Sequence, residues 1–189
     1  RRIPSGVVDS RFKVDSDEQL LRERRELLER CGADANGCVG IMVQRLAPEK
    51  DTMHALVALR QLGDARGGRQ RGGGGKFSLD GTRPFYLVVA GDGPSRAELE
   101  EYAASHGLPV TFLGNLRNDQ LPPLYRAADL FVTCSASETY GLTVLEALAC
   151  GTPIALPHCD VFDELWAHRV PPSWFYGHGD VDGLIRAMV

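Results

Sequence analysis

Four charged residues follow two apolar, strand-like runs of the sequence and could act together on a ligand. Arg45 and Lys50 come after the first run and are separated by a proline-containing turn, so both cationic groups can reach one cleft. A guanidinium offers a bidentate fork and an ammonium a point charge, and this pair suits a pyrophosphate. Spacing alone favours two solvated loop cations, but that alternative becomes weaker because the turn with Gly141 is predicted at the same end of the sheet.

The other two charges are Glu138 and Glu146, which flank a turn containing Gly141. Glu146 is the only charged residue between Thr139 and Gly151, and a lone carboxylate in so apolar a run is costly to bury without a hydrogen-bond partner. We expect ligand hydroxyls to be that partner. An acid–base pair for glycoside hydrolysis would need carboxylates that face each other across a bond. Glu138 and Glu146 instead flank one turn, so binding of hydroxyls fits them better. The remaining alternative is a turn residue and a helix-surface residue without function.

These residues need a scaffold, and the hydrophobic pattern predicts one. Apolar runs of strand length alternate with segments of helical periodicity, which is typical of βαβ units and predicts an α/β fold with a doubly wound parallel sheet. The predicted strands are 39–46, 85–90, 109–113, 130–135, 153–157 and 173–176. The predicted helices are 16–30, 51–62, 95–105, 118–128, one that begins at 142, 161–168 and 180–189. In such a sheet, ligands bind at the carboxyl ends of the strands.

Other motifs are better explained by local structure. The stretch Gly91–Arg96 begins like a dinucleotide fingerprint, but Arg96 occupies the place of the third glycine, so we interpret it as a turn and a helix start. A P-loop is excluded because Phe77 follows Gly75-Lys76 where Ser or Thr is required. The five histidines form no metal-ligand cluster with cysteines or carboxylates, and we predict no metal site.

Composition narrows the class of protein. The chain has 189 residues, of which 24% are charged and 43% hydrophobic, which is ordinary for a globular protein. A net charge of −4 gives no basic footprint for nucleic acid, and no apolar run is long enough to cross a bilayer. The odd number of cysteines, without a CxxC pair, favours a reducing compartment such as the cytoplasm or the plastid stroma. Because the sequence starts at Arg1 without Met, we expect a part of a longer protein, and its localisation is not assigned.

Several stretches together resemble the family-4 retaining glycosyltransferases. SASETYGLTVLEALACGTPI places Glu138 and Glu146 as in that family's EX7E motif, and QRLAPEK is similar to its GR-x-x-x-EK stretch. VVAGDGP, FLGNL and LYRAADLFV resemble its next strands, and SGVVDSRF resembles the segment that links the two domains of a GT-B fold. The resemblance runs from about Ser5 to Pro157. Within the family, the sequence is similar to the sulfoquinovosyl- and sucrose-synthesising branches.

The resemblance implies roles for individual residues. As catalytic residues, Arg45 and Lys50 would hold the donor diphosphate and stabilise the leaving group, and Glu138 would face the donor sugar hydroxyls. Glu146 would hydrogen-bond the ribose. The remaining donor-binding residues would contact the donor through their backbone. The backbone around Asn115 and Leu116 would meet the base. The sugar and phosphate would be met by the backbone amides of Tyr140, Gly141, Leu142 and Thr143. Attack on the face that the nucleotide leaves would give retention.

The resemblance also implies a domain organisation. Residues 1–38 would be an interdomain linker and helix, and residues 39–189 a nucleotide-sugar-binding Rossmann-like domain, the C-terminal half of a GT-B fold. We expect the helix at 16–30 to lie on the surface or to pack against a segment outside this chain. The Gly/Arg-rich stretch 63–83 is predicted to be a flexible insertion, with an RGG-like RNA-binding segment as the weaker alternative.

The expected function is transfer of a hexose from a nucleoside diphosphate sugar, UDP-linked, to an acceptor. The sugar nucleotide is a substrate, and no cofactor is expected. The partner is an N-terminal acceptor domain that this chain lacks, so the chain alone should be inactive. The resemblance is compatible with peripheral membrane association of the full protein.

Two departures from the family pattern favour other functions. Gln44 stands where the family has glycine before the arginine, and its side chain is expected to crowd the phosphate. Asp160 and Val161 replace the glycines of a Gly-Gly-x-x-Glu loop, with Glu164 near the acidic position. A non-catalytic nucleotide- or protein-binding module is therefore the alternative, and a nucleotide-sugar 2-epimerase is a second one that should carry different acidic residues.

Overall fold

A computed structural model describes residues 12, 16–66, 77–79, 81–135 and 137–189. Residues 1–11 and 13–15 of the predicted linker-and-helix segment 1–38, and residues 67–76 at the centre of the predicted insertion, lie outside the described residues. The strands are β1 (Cys38–Val43), β2 (Phe85–Ala90), β3 (Val110–Gly114), β4 (Leu130–Val132), β5 (Ile154–Pro157) and β6 (Phe175–Tyr176). They pair in parallel in the order β3-β2-β1-β4-β5-β6, which confirms the predicted doubly wound α/β fold.

The helices are α1 (Asp17–Arg30), α2 (Thr52–Arg66), α3 (Arg96–Ser105), α4 (Leu121–Ala127), α5 (Leu142–Ala149), α6 (Asp160–Trp166) and α7 (Val181–Met188). Short 3-10 turns occupy Pro48–Lys50, Asn118–Gln120 and Pro172–Trp174. Each predicted helix is present within a few residues of its expected bounds. The largest difference is α2, which continues into the predicted insertion as far as Arg66. No helix in the described ranges combines the length and apolarity that crossing a bilayer requires.

Helices cover both faces of the sheet because the strands are apolar on both sides. On one face Leu56, Leu59, Leu99 and Leu184 bring α2, α3 and α7 against the sheet. On the other face α1, α4, α5 and α6 pack through the buried residues Leu27, Tyr125, Val144 and Phe162. Successive residues of β1 point to opposite faces, so Ile41 and Met42 belong to different clusters.

Helix α1 packs on α4 with one face and leaves the other face exposed. Leu27 and Leu28 are buried, and Ser16 caps the helix by accepting a hydrogen bond from Gln19 N. The Arg126 guanidinium binds the Glu23 carboxylate with a shortest distance of 2.6 Å, and both side chains are almost fully buried. The expected partner outside this chain is therefore not needed to explain the buried face of α1.

The chain reverses its direction of winding between β1 and β4. From β1 it proceeds outward to β2 and β3, and it then returns to place β4 on the other side of β1. The connections that leave the carboxyl ends of β1 and β4 consequently diverge and open a crevice. These two connections carry the four charged residues singled out in the sequence.

Candidate functional site

Lys50 and Glu138 form the centre of this crevice. The 3-10 turn Pro48–Lys50 follows β1, and Glu138 lies on the connection after β4. The Lys50 ammonium lies 2.6 Å from Glu138 Oε1, and the two side chains are 19% and 17% exposed. Lys50 also donates to Ser137 O at 3.1 Å and to Ser135 Oγ at 3.3 Å. The structure thus brings together two predicted site residues, and the ammonium ties the two connections to each other.

Gln44 holds the Lys50 loop in place. Its amide Nε2 donates to Thr52 Oγ1 at 2.8 Å and to Lys50 O at 3.2 Å, and its Oε1 accepts from Thr133 Oγ1 at 3.3 Å. Gln44 also lines the neighbouring cavity. Because its amide is engaged by both connections, its side chain is oriented by protein contacts, whereas the sequence had suggested only that it crowds a phosphate.

A cavity of about 420 Å³ lies at the carboxyl edge of β1 and β2, and its wall includes Gln44, which donates to Lys50 O. Its lining includes Arg45, which was predicted to be catalytic, and three of the predicted donor-binding residues, Asn115, Leu116 and Thr143. Arg45 is exposed, and its guanidinium makes no hydrogen bond or ion pair with any residue in the described ranges. The cavity therefore presents an uncompensated cation, while the cation of Lys50 is already neutralised by Glu138.

The N-terminus of α5 closes one side of the crevice. Gly141 precedes the helix with a φ of 68°, and a Cβ there would lie 2.9 Å from Phe162 Cε1, so this position needs glycine. The first helical amide with an acceptor inside the helix belongs to Val144, which donates to Gly141 O. The amides of Leu142 and Thr143 consequently point out of the helix end, where the helix dipole favours an anion.

The residues around this turn differ in exposure. Leu142 is 52% exposed, Tyr140 is half-buried, and Thr143 reaches the cavity wall. Together with Gly141 they form one surface at the helix end. The predicted backbone contacts therefore lie on one continuous stretch, which meets the cavity of Arg45 at Thr143.

Glu146 has a protein partner that the sequence interpretation missed. The hydroxyl of Tyr125 donates to Glu146 Oε2 at 2.9 Å, so a ligand is not the carboxylate's only source of hydrogen bonds. Burial raises the pKa of Glu146, and the bond from Tyr125 opposes that rise. Burial, together with the neighbouring Glu146 carboxylate, also raises the pKa of Tyr125 above its usual value, so its hydroxyl stays protonated and donates. Tyr125 lies within LYRAADLFV on the buried face of α4, and the sequence pattern of that segment does not show which residue of α5 its hydroxyl meets.

The glycines of Gly91–Pro94 serve close packing of the backbone. A Cβ at Gly91 would overlap Gln44 O, and a Cβ at Gly93 would overlap Leu46 O. In addition, Leu46 N donates to Asp92 O at 2.9 Å. The predicted turn is confirmed, because both glycines let this turn lie against the segment that carries Arg45.

The segment after β5 reaches the crevice from the other side. Asp160 begins α6, and Phe162 of this helix packs against Gly141. His158 Nδ1 lies 2.6 Å from Asp163 Oδ1, and its ring stacks on Phe175 at 4.9 Å between centroids. Where the family has a glycine-rich loop, this chain thus has side chains that pack against the crevice. In the described ranges, no group of three His, Cys, Asp or Glu side chains is placed to hold a metal ion.

Comparison with known proteins identifies the family. The model of the family described as "Glycosyl transferases group 1" matches residues 23–188. The chain belongs to this family. It is 29% identical over 187 residues to an alpha-monoglucosyldiacylglycerol synthase of Streptococcus pneumoniae, covering 98% of this chain and 38% of that protein. It is also 45% identical over 117 residues to the sulfoquinovosyl transferase of Arabidopsis thaliana, covering 60% of this chain and 22% of that protein.

The solved structures agree with the fold. The Anabaena protein HepE, crystallised with UDP, superimposes with a TM-score of 0.71 at 24% identity over 95% of this chain and 44% of its own. This chain has the fold of the C-terminal half of a GT-B glycosyltransferase. It spans about two-fifths of the length of the first curated relatives that it matches.

Proposed function

We propose that the protein containing this chain is a retaining glycosyltransferase that moves a hexose from a nucleoside diphosphate sugar, and that this chain binds the donor. The observation that carries the proposal is the grouping of Arg45, Lys50 and Glu138 with the N-terminus of α5 around one crevice. Two cationic groups and a helix end suit a diphosphate, and an adjacent carboxylate suits sugar hydroxyls.

The proposed donor base is uracil. Support comes from the relative crystallised with UDP, whose fold this chain shares. In this chain the base would occupy the cavity beside Asn115 and Leu116, while Arg45 at the same cavity wall would contact the phosphates. A cavity of about 420 Å³ is within the size range of small-ligand sites, so a nucleoside is a reasonable occupant.

Lys50 and Glu138 would change partners when the donor binds. In the structure the Lys50 ammonium donates to three protein oxygens. A diphosphate that enters the crevice would compete for this ammonium and weaken its bond to Glu138. The carboxylate would then accept hydrogen bonds from the hexose hydroxyls, so that diphosphate and sugar are recognised together.

During transfer, the bond from the anomeric carbon to the β-phosphate oxygen breaks and its electron pair stays on the phosphate. Arg45 and Lys50 would stabilise the charge that develops there, which is the electrostatic role a metal ion fills in other transferases. The acceptor hydroxyl would attack from the face that the diphosphate leaves, and its proton would pass to the departing phosphate oxygen. We propose on this basis that no metal ion is required, and chelation by EDTA should leave the activity unchanged.

Isothermal titration calorimetry on the full-length protein tests the proposal. UDP and UDP-glucose should bind, whereas GDP and ADP-glucose should bind more weakly. The acceptor half lies outside this chain, so activity is assayed only in the full-length protein. Binding of none of these nucleotides would overturn the proposed function. Binding without sugar transfer or donor hydrolysis would favour the non-catalytic module, and exchange at the 2-position of the sugar would favour the epimerase.

A further inference from the structure

The hydrogen bond between Tyr125 and Glu146 joins two helices directly below the cavity. Leu121 on α4 and Thr143 on α5 both line the cavity. Tyr125 follows Leu121 by four positions and Glu146 follows Thr143 by three, and these spacings place each pair on one face of its helix. The Tyr125–Glu146 pair therefore lies about one helical turn behind the wall that faces a ligand.

Tyr125 is held rigidly and cannot touch a ligand itself. Its side chain has no accessible surface, and its ring packs between Phe12 and Phe131 with centroid distances of 6.2 Å and 5.9 Å. Its backbone oxygen accepts a hydrogen bond from Thr152 Oγ1 at 2.7 Å. The hydroxyl thus donates from a fixed point, and any effect of this residue on a ligand must act through Glu146.

The Glu146 carboxylate is engaged at only one of its two oxygens. Oε2 accepts from Tyr125, whereas no residue in the described ranges donates to Oε1. The side chain is half-buried, so part of it remains accessible to solvent. A carboxylate oxygen offers two lone pairs, and the two adjacent hydroxyls of a ribose are suitable donors.

We propose that Tyr125 is a positioning residue for the nucleotide ribose, because its hydroxyl fixes Glu146 in the orientation that leaves Oε1 free for the ribose hydroxyls. This inference rests on the proposed function and adds a residue that contributes to nucleotide affinity without contacting the nucleotide. The competing explanation is that the bond only ties α4 to α5.

The expected size follows from the freedom that the bond removes. Without it, the glutamate side chain can distribute over about three staggered wells for each free torsion. The fraction of chains with a correctly placed carboxylate then falls to between about one third and one tenth. Apparent affinity falls by the same factor, so Tyr125→Phe should weaken binding of UDP about three- to tenfold.

The test compares UDP with 2′,3′-dideoxy-UDP, which lacks both ribose hydroxyls. Dissociation constants are measured by calorimetry on the full-length protein, as wild type and with Tyr125→Phe, Glu146→Ala and both changes together. Tyr125→Phe should weaken UDP and leave the dideoxy nucleotide unaffected. In the Glu146→Ala background, Tyr125→Phe should have no further effect on UDP.

Tyr176→Phe is the matched control. Tyr176 is also buried, and its hydroxyl donates to Thr133 O at 2.8 Å, so this variant removes a comparable buried bond. It should change the affinities for the two nucleotides by the same factor. Thermal unfolding verifies that each variant is folded, so that a change in affinity is attributed to the binding site and not to loss of the fold.

Two results separate the inference from the proposed function. If wild type binds UDP and Tyr125→Phe leaves both affinities unchanged or shifts them equally, the positioning role is overturned and the proposed function stands. If wild type binds neither nucleotide, UDP is not the donor nucleotide, and the positioning role proposed for its ribose fails with it.

Discussion

Replacing Lys50 with methionine tests whether the ion pair with Glu138 holds the two connections of the crevice together. Methionine keeps most of the apolar length of lysine but leaves the Glu138 carboxylate without its cation at 2.6 Å. Losing a charged hydrogen-bond partner costs about 1.5–3 kcal/mol, and breaking a fully buried pair costs about 3–5 kcal/mol. Because the side chains are still 19% and 17% exposed, we expect the lower range, a loss of about 2 kcal/mol in the free energy of unfolding.

Equilibrium urea unfolding of this chain at pH 7 measures the loss. Thermal unfolding should show a decrease in Tm of about 4–8 °C, as expected for about 2 kcal/mol in a chain of this size. The double variant Lys50→Met/Glu138→Gln should recover more than half of the loss, since no uncompensated charge remains. As a control, Arg117→Met removes the exposed pair with Asp119 and should leave stability unchanged within error.

Binding separates the two roles of Lys50. If it contacts the diphosphate, the double variant should stay weak in UDP binding although its stability has recovered. The reasoning is refuted if Lys50→Met unfolds with the same free energy and the same urea dependence as wild type. In that case the Lys50–Glu138 ion pair would contribute nothing to the stability of the fold. The proposed coupling between sugar and diphosphate recognition would then lose its basis.

Three further predictions concern other contacts. Burial raises the pKa of Glu146, so the folded state binds this proton more tightly than the unfolded state, and this stabilising contribution is lost as pH rises through the raised pKa. Urea unfolding at about pH 4 and at pH 7 should therefore show Glu146→Gln gaining stability relative to wild type at the higher pH, and a constant difference would contradict this. Gln44→Gly should lower the unfolding free energy by about 1–2 kcal/mol, because the amide contacts are lost and the chain becomes more flexible. It should also weaken UDP binding by loosening the loop of Lys50, whereas tighter binding in calorimetry would show that Gln44 crowds the phosphate. Glu23→Ala should lower the free energy of unfolding, measured by thermal unfolding, by about 3 kcal/mol, because Arg126 is left buried without its carboxylate. A loss below about 1 kcal/mol would contradict this.

The secondary structure follows closely from local pattern. The predicted strand 85–90 has the bounds of β2, and the helix predicted to begin at 142 begins there as α5. These elements were predictable because parallel strands buried on both faces read as unbroken apolar runs, and because glycine and proline mark the turns between them. The extension of α2 to Arg66 was missed since Gly63 suggested the start of a loop, although the glycine packs beneath Phe77.

The site was predictable where it depends on topology. In a parallel sheet, residues that follow adjacent strands meet at one edge, and this places Lys50 beside Glu138 without any knowledge of side-chain packing. Partners that come from the faces of separate helices were not predictable. The Tyr125–Glu146 bond and the Glu23–Arg126 pair each depend on how two helices are rotated and spaced, which a linear pattern does not specify.

Hydrophobic periodicity and turn chemistry specify the order of strands and helices, the winding of the sheet and the edge at which charged residues gather. Which of those charges are paired depends on the tertiary structure. It neutralises Lys50 with Glu138, leaves Arg45 open to the cavity, and gives Glu146 a buried tyrosine as its partner. The physical reason is that hydrogen bonds and ion pairs act over a few ångströms, so they depend on how the elements pack against one another.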